Sequence, residues 1–466
     1  MGTRRISVDY LVVGSGAAGM AFTDALLTHA PQAEVALVDR RHAPGGHWND
    51  AYAFCRLHQA SAFYGVDSLP LGDDTIDATG LNRGSHERAT AAEIRGYYQR
   101  VLDHQLLPTG RLRYLPMSEH VGGGTIVSRV TGTRTDVEVR RRVVDAHHLA
   151  PTIPATTPPP FEVAPDAMCI TVNELTELAR PGAGYVVIGG GKTAMDAIIW
   201  LLDQAIDPDD IQWIKPREQW LTNREYYAPL DRAWTGVESA SHYAEAAARA
   251  ETLDDFYAAL RDQEVLVQVD EEVAPTMAHA PTINHLELEQ LRRVRDVVRL
   301  GRVRRITADV IELDQGTVPT HRDRVHVHCA ASGAPRRPTR PVFTDDEITL
   351  QPIRWNQPCL SAAVTGYLEA TRDDLEEKNR LCPPHAYADT PLEWAATVLH
   401  SMKLDMVWGA DPDVEAYTYG TRLNPVRGWK DQLGEPRVDA AIQRLLANLE
   451  GGVANLESLT GAVRGA

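Results

Sequence analysis

The chain has 466 residues, 43% hydrophobic and 24% charged, with a formal net charge of −17. That length allows two or three domains with sizeable cores. The acid excess excludes a general nucleic-acid binder, which needs a basic face, and no stretch approaches the ~18 uninterrupted apolar residues of a membrane helix.

The start, Met1-Gly2-Thr3-Arg4-Arg5, lacks the apolar core of an export signal, so a cytoplasmic protein without a membrane span is expected. The cysteines, Cys55, Cys169, Cys329, Cys359 and Cys382, form no C-x-x-C pair. Reduced thiols follow, with neither a redox disulfide nor a metal site. His147-His148 and His326-x-His328 have no convergent acids or cysteines at ligand spacing, so no metal is expected there either.

In chain order, residues 8–40 read as strand (11–13), glycine turn, helix (17–29) and strand (34–38). Residues 41–110 are irregular apart from a helix over 91–107, and 111–150 read as short strands. Prolines over 151–165 mark a stiff linker. The strand-turn-helix pattern then restarts at Gly184, with a helix over 193–202 and a strand over 211–214. Residues 230–300 read as helical, notably 243–261 and 285–295, and 301–330 alternate like strands. Helices over 360–371 and 436–449 close the reading.

The first turn is Gly14-Ser15-Gly16-Ala17-Ala18-Gly19. Gly14 allows the tight bend, Gly16 lets backbone approach a pyrophosphate, and Gly19 lets helix and strand pack closely. The helix N-terminus adds free N–H groups and a positive dipole end. Asp39 closes the next strand, followed by Arg40. A carboxylate there accepts ribose hydroxyls and repels a 2'-phosphate, which suits FAD or NAD.

The second turn is Gly189-Gly190-Gly191-Lys192-Thr193-Ala194, with alanine at the third small position. Lys192 and Thr193 stand at the helix start, where phosphate is favoured. The next strand ends in Lys215-Pro216-Arg217, cations where the first unit has Asp39, and Asn223 and Arg224 follow. This pattern suits the 2'-phosphate of NADPH. Asp196, on the same helix, reads as a surface or packing carboxylate. Two such turns in one chain suggest two dinucleotides held face to face for hydride transfer.

Past Asp39 comes Gly45-Gly46-His47-Trp48, then Arg56-Leu57-His58-Gln59-Ala60-Ser61. This pattern resembles the flavin-containing and Baeyer-Villiger monooxygenases (class B). The resemblance implies an α/β fold of two Rossmann-like dinucleotide-binding domains, an FAD domain with an NADPH domain inserted. The boundaries expected are 1–160 for the first part of the FAD domain, 161–324 for the NADPH domain with a helical insertion near 230–300, and 325–466 for the return. It also implies that Gly46, His47, Trp48 and Gln59 lie against the flavin, with His58 beside them; plain core packing is the alternative for Trp48. Residues 325–333 resemble the family's strand ending in an Ala-Thr-Gly turn, with Ser332 in place of threonine. Asn356, Gln357 and Pro358 then open the helix aimed at the flavin's pyrimidine edge, where the family's usual Gly-Asp pair is absent. His58, Gln59 and Asn356 are the candidate catalytic residues.

The Baeyer-Villiger fingerprint is missing, since Phe161 is followed by Glu162 and Val163. The resemblance therefore implies an NADPH-dependent FAD monooxygenase that uses O2, through a hydroperoxyflavin, on a small-molecule nitrogen or sulfur nucleophile. An NADPH:acceptor oxidoreductase and a non-catalytic dinucleotide sensor are the alternatives. Substrate would be read by residues 225–295, where Tyr226, Tyr227, Trp234 and Tyr243 could line a pocket or simply pack.

Overall fold

A computed structural model describes residues 4–178 and 184–464. Two parallel sheets organise the chain, and each is built around one glycine turn. The first sheet runs in the order Leu112–Leu115, Val35–Val38, Arg4–Val13 and Arg134–Asp145, all parallel. A small antiparallel ribbon, Thr125–Ser128 and Ser118–His120, joins the start of Arg134–Asp145. The far end of that long strand takes a parallel partner, Glu347–Thr349.

The second sheet is wholly parallel, in the order Asp296–Val298, Ile211–Ile214, Tyr185–Ile188, Val325–His328 and Cys169–Thr171. Its central strands are buried on both faces, which is why they read as unbroken apolar runs. The boundary expected at 325 is corrected by this topology. Val325–His328 pairs inside the second sheet, and the chain re-enters the first domain only at Glu347–Thr349. In Val325–His328 the alternation of valine and histidine does not mark a buried and an exposed face. All four residues are buried, with the His326 ring held by Met168 O and Thr320.

The helices Ala17–His29 and Lys192–Asp203 follow the two turns as expected. The final crossover helix, Pro358–Thr371, packs on Ala17–His29, where a Cβ on Gly366 would lie 2.6 Å from Phe22 O. That packing sets the helix N-terminus beside the first glycine turn's domain.

The long helix expected over 243–261 is instead two, Trp234–Arg249 and Leu253–Asp262. The first ends where Ala250 turns to extended backbone, and Thr252 caps the second, its hydroxyl accepting from Asp255 N while the Asp255 carboxylate accepts from Thr252 N. The C-terminal helix, Pro436–Arg464, runs beyond the expected end at 449. Gly451 and Gly452 do not end it. Gly452 lets it approach Trp234–Arg249, since a Cβ there would lie 2.9 Å from Ala244 O. No helix among the described residues is long and apolar enough to cross a membrane.

Candidate functional site

Gly14 adopts φ +115°, and its N–H donates to Val38 O at 2.8 Å. A Cβ on Gly19 would stand 1.9 Å from Gly14 O, so no side chain fits there. Gly16 begins the helix with no side-chain cap, leaving backbone N–H groups free at the turn. Asp39 is buried behind the turn. It accepts Ser15 N at 2.7 Å and Ser15 Oγ at 3.0 Å through one oxygen, and Arg41 N at 2.8 Å through the other. Asp39 thus braces the turn itself. Arg40 is exposed and Ala18 partly buried at the helix start.

Gly45 and Gly46 both take left-handed backbone, at φ +106° and +58°. Gly45 N donates to Ser15 O at 2.8 Å. A Cβ on Gly46 would sit 2.9 Å from Gly16 Cα, so the two loops meet backbone to backbone. Asn49 fastens this fold-over through the carbonyls of Ala43, Pro44 and Gly46. Trp48 is buried and donates to Tyr64 OH at 2.7 Å, with His47 stacked on it.

Beyond Trp48 opens a cavity of about 350 Å³, walled by both domains. The first domain supplies His47, Trp48, Tyr52, Cys55, His58, Gln59 and Tyr64, and the second supplies Val172, Asn173 and Thr193. The returning chain adds Trp355, Asn356, Gln357 and Pro358, and Tyr227, Thr282 and Tyr387 close the far side. Gln357 Oε1 is buried without a protein partner, and an acceptor left that way is costly. Asn356 stands at φ +51° and donates to Ala280 O at 3.3 Å. Burial and then the Lys192 charge push the His58 imidazole down to about 3. Burial and then Arg41 bring His47 down to about 4. Both rings are therefore neutral near pH 7. Burial, then Asp196, lifts the Cys55 thiol to about 12, so it is no thiolate nucleophile.

The second turn repeats the first in outline. Gly189 takes φ +143°, its N–H donates to Ile214 O at 3.0 Å, and Trp213 Nε1 donates to Gly189 O at 2.7 Å. Gly191 starts the helix with open space before it, and Ala194 is fully buried. The side chains around the turn depart from expectation. Lys192 turns into the seam between the domains and pairs with Asp196. Asp196 also accepts Tyr52 OH from the first domain at 2.7 Å, so it bridges the domains rather than facing solvent.

Lys215 is wholly buried. Its Nζ sits 4.7 Å over the Trp213 ring and bonds both Glu218 oxygens, at 2.6 and 2.7 Å. The free cation expected at that position is thus corrected, because an uncompensated buried ammonium has to find an internal partner. Arg217 stays at the mouth of the turn, one-third exposed, paired with Asp389. Arg224 is corrected as well. It is buried, donates to His58 O at 2.6 Å and pairs with Glu287 at 2.7 Å, and Glu287 also holds Arg88 at 3.0 Å. Burial would raise the Glu287 carboxyl, but Arg224, Lys192 and Arg88 outweigh it and hold it far below the usual range. Asn223 donates to Glu264 O rather than facing a ligand.

Ser332 is exposed and does not line the cavity. Of the aromatics in the insertion only Tyr227 reaches the cavity. Tyr243 packs against Phe256, Trp234 lies under Arg437, and Tyr226 bonds Gln263 O. Sequence reasoning missed Tyr52, Asn173, Trp355 and Tyr387. Trp355, next to Asn356 and Gln357, and Tyr52, four residues past Trp48, had signals nearby.

Two glycine-turn domains of parallel sheet, sharing one cavity, define a two-dinucleotide α/β protein. The profile of the NAD(P)-binding Rossmann-like domain matches residues 12–66, the first turn and its flanks. An uncharacterized protein of Mycobacterium tuberculosis is 44% identical over 425 residues, covering 90% of this chain and 78% of that one. The chain belongs to the family of that mycobacterial protein. Among solved structures it is similar to an open form of cyclohexanone monooxygenase, at 13% identity and TM-score 0.49, over 93% of this chain and 98% of that one. It is also similar to cyclohexanone monooxygenase from Rhodococcus sp. Phi1 bound to NADP+, at 14% identity and TM-score 0.48, over 81% and 84% of the two chains.

Proposed function

We propose that the protein is an NADPH-dependent FAD monooxygenase that uses O2 to oxygenate a small molecule at nitrogen or sulfur. The observation that carries this reading is the cavity walled by both domains, lined by His47 and Trp48 next to Gly46, which packs on the first turn, and by Thr193 at the helix start of the second. The residues fit a flavin. Gly14 makes the tight turn, Gly19 and Gly46 let backbone close against Gly14 and Gly16, and the uncapped helix start after Gly16 offers N–H groups to a pyrophosphate, while the buried, unpartnered Gln357 Oε1 offers a bond to a ring N–H. When bound, FAD supplies the redox chemistry, taking a hydride from NADPH and activating O2.

The chain's own residues bind, orient and exclude water. Gly189 and Gly191 take the NADPH pyrophosphate, with Thr193 at the helix start facing the cavity. Arg217 takes the 2'-phosphate, and Lys215, from inside, shapes the loop that carries it. Trp48, Tyr64, Tyr227, Trp355 and Tyr387 form an aromatic wall that keeps water from the reacting atoms. His58, neutral, and Gln59 and Asn356 orient substrate and ring by hydrogen bonds rather than by proton transfer.

The test is a spectrum of the purified protein, then anaerobic NADPH, then labelled O2 with an amine and thioether panel. Flavin bands that bleach, with label entering a product, are the expected result. Bleaching with all oxygen recovered as hydrogen peroxide would replace this reading with an NADPH:acceptor oxidoreductase. A bound flavin that NADPH never bleaches would make the protein a sensor. Gly16→Val, whose branches meet the Gly46 backbone, is expected to purify without flavin.

A further inference from the structure

The outer mouth of the second turn carries a charge cluster apart from the cavity. A Cβ on Gly190 would lie 3.6 Å from Arg217 O and 3.8 Å from Met277 Cε, so the segments bearing Arg217 and His279 flank the turn. Arg217 grips Asp389 with both terminal nitrogens, at 2.6 and 3.1 Å. His279 Nε2 lies 2.9 Å from the same carboxylate. Arg336 approaches it at 3.7 Å while pairing with Glu393.

Asp389 is held in place by its backbone. Its N–H donates to Glu393 Oε2 at 2.8 Å and its carbonyl accepts Ala278 N at 3.0 Å. All the side chains around it are reachable, from 22% exposed at Asp389 to 53% at Arg336. By contrast, Lys215–Glu218, a few residues away, is sealed from solvent. Three basic side chains on one carboxylate, with a forked arginine contact, is the arrangement that also recognises a phosphate.

We propose that Asp389 is an internal stand-in for the 2'-phosphate of NADPH. It keeps Arg217, His279 and Arg336 arrayed in the free protein and gives way when the cofactor's phosphate arrives. This inference rests on reading the second turn as an NADPH site. NADH brings no charge to displace Asp389, and its 2'-hydroxyl instead donates to that carboxylate. Asp389 therefore narrows the preference for NADPH over NADH.

Calorimetric titration of the holoprotein with NADP+, NAD+, 2',5'-ADP and 5'-AMP tests this in wild type, Asp389→Asn and Arg217→Ala. Asp389→Asn is expected to bind NADP+ and 2',5'-ADP roughly three- to tenfold more tightly, with NAD+ and 5'-AMP unchanged or weaker. Equal or weaker NADP+ binding by a variant that melts like wild type would overturn the proposal, and Asp389→Ser repeats the test should the asparagine variant misfold. The two readings fail differently. If Arg217→Ala weakens NADP+ selectively while Asp389→Asn changes nothing, the NADPH site stands and the stand-in falls. If Arg217→Ala weakens NADP+ and NAD+ alike, the NADPH site itself falls.

Discussion

The two glycine turns share one plan and differ in how each closes. At the third small position the first has Gly19, pressed against Gly14 O, and the second has Ala194, buried without conflict. At the end of the following strand the first has Asp39 and the second Lys215, and both are buried. Asp39 directs its oxygens to Ser15 and Arg41, and Lys215 its protons to Glu218. A charge at a strand end is thus committed to its own loop first. What each loop then presents outward differs, and at the second turn it is Arg217, paired with Asp389 of the returning chain, rather than Lys215.

Breaking the comparison at its tightest point has the largest expected effect. Gly19→Ala puts a methyl 1.9 Å from a carbonyl oxygen. It is expected to exceed the ~1–3 kcal/mol of ordinary overpacking and to abolish soluble expression. The matched change, Ala194→Gly, costs only about 1 kcal/mol in a melt. Next comes the buried pair. Lys215→Met leaves Glu218 buried with Arg299 at 3.4 Å and the Gln219 N–H at 3.3 Å and is expected to cost about 3–5 kcal/mol in urea unfolding. Lys215→Met with Glu218→Leu is expected to recover most of that loss.

Arg217→Ala sharpens the contrast. It is expected to leave stability unchanged and raise the NADPH KM by roughly tenfold or more, with the NADH KM unmoved in steady-state assays. Equal effects on both cofactors would remove the 2'-phosphate assignment.

Acid probes the first domain. In the folded state His58 sits at about 3 and His47 at about 4, while in the unfolded chain both titrate near the ordinary value of 6.5. Between about pH 4 and 6.5 the unfolded chain binds protons that the folded one does not, so stability falls as pH drops through that window. Urea midpoints at pH 7 and pH 5 read this slope, and His58→Gln is expected to flatten it. The smallest effect is Tyr52→Phe. It removes one interdomain bond to Asp196 and is expected to cost about 1 kcal/mol in thermal unfolding.

Both turns, the helices that follow them and the strands beside them were legible, because glycine geometry and apolar periodicity are local signals. The helix over 17–29 matches its observed bounds, and that expected over 193–202 lies within one residue at each end. The strand at 325–328 was assigned to the wrong domain, because a buried parallel strand carries no mark of which sheet it joins. The last helix runs past the expected end at 449 through Gly451 and Gly452, because glycines weaken a helix on their own, and the packing of Gly452 against Ala244 is invisible in one dimension. In the cavity, Trp48, His58, Gln59, Asn356 and Gln357 were named from the sequence, and Tyr52, Asn173 and Tyr387 were not. Tyr52 stands four residues past Trp48 but belongs to no motif, and Asn173 and Tyr387 lie on segments distant in sequence.

The sequence alone determined the two dinucleotide units, since a tight turn, a close backbone approach and a helix start depend on residues within a few positions of one another. Tertiary structure alone decided the partners of the charged side chains. Lys192 faces Asp196, which Tyr52 also bonds, Lys215 faces Glu218, Arg224 faces Glu287, and Arg217 faces Asp389. A long ionic side chain reaches several ångströms in any direction. The partner it finds is set by burial and by whichever carboxylate the fold brings near.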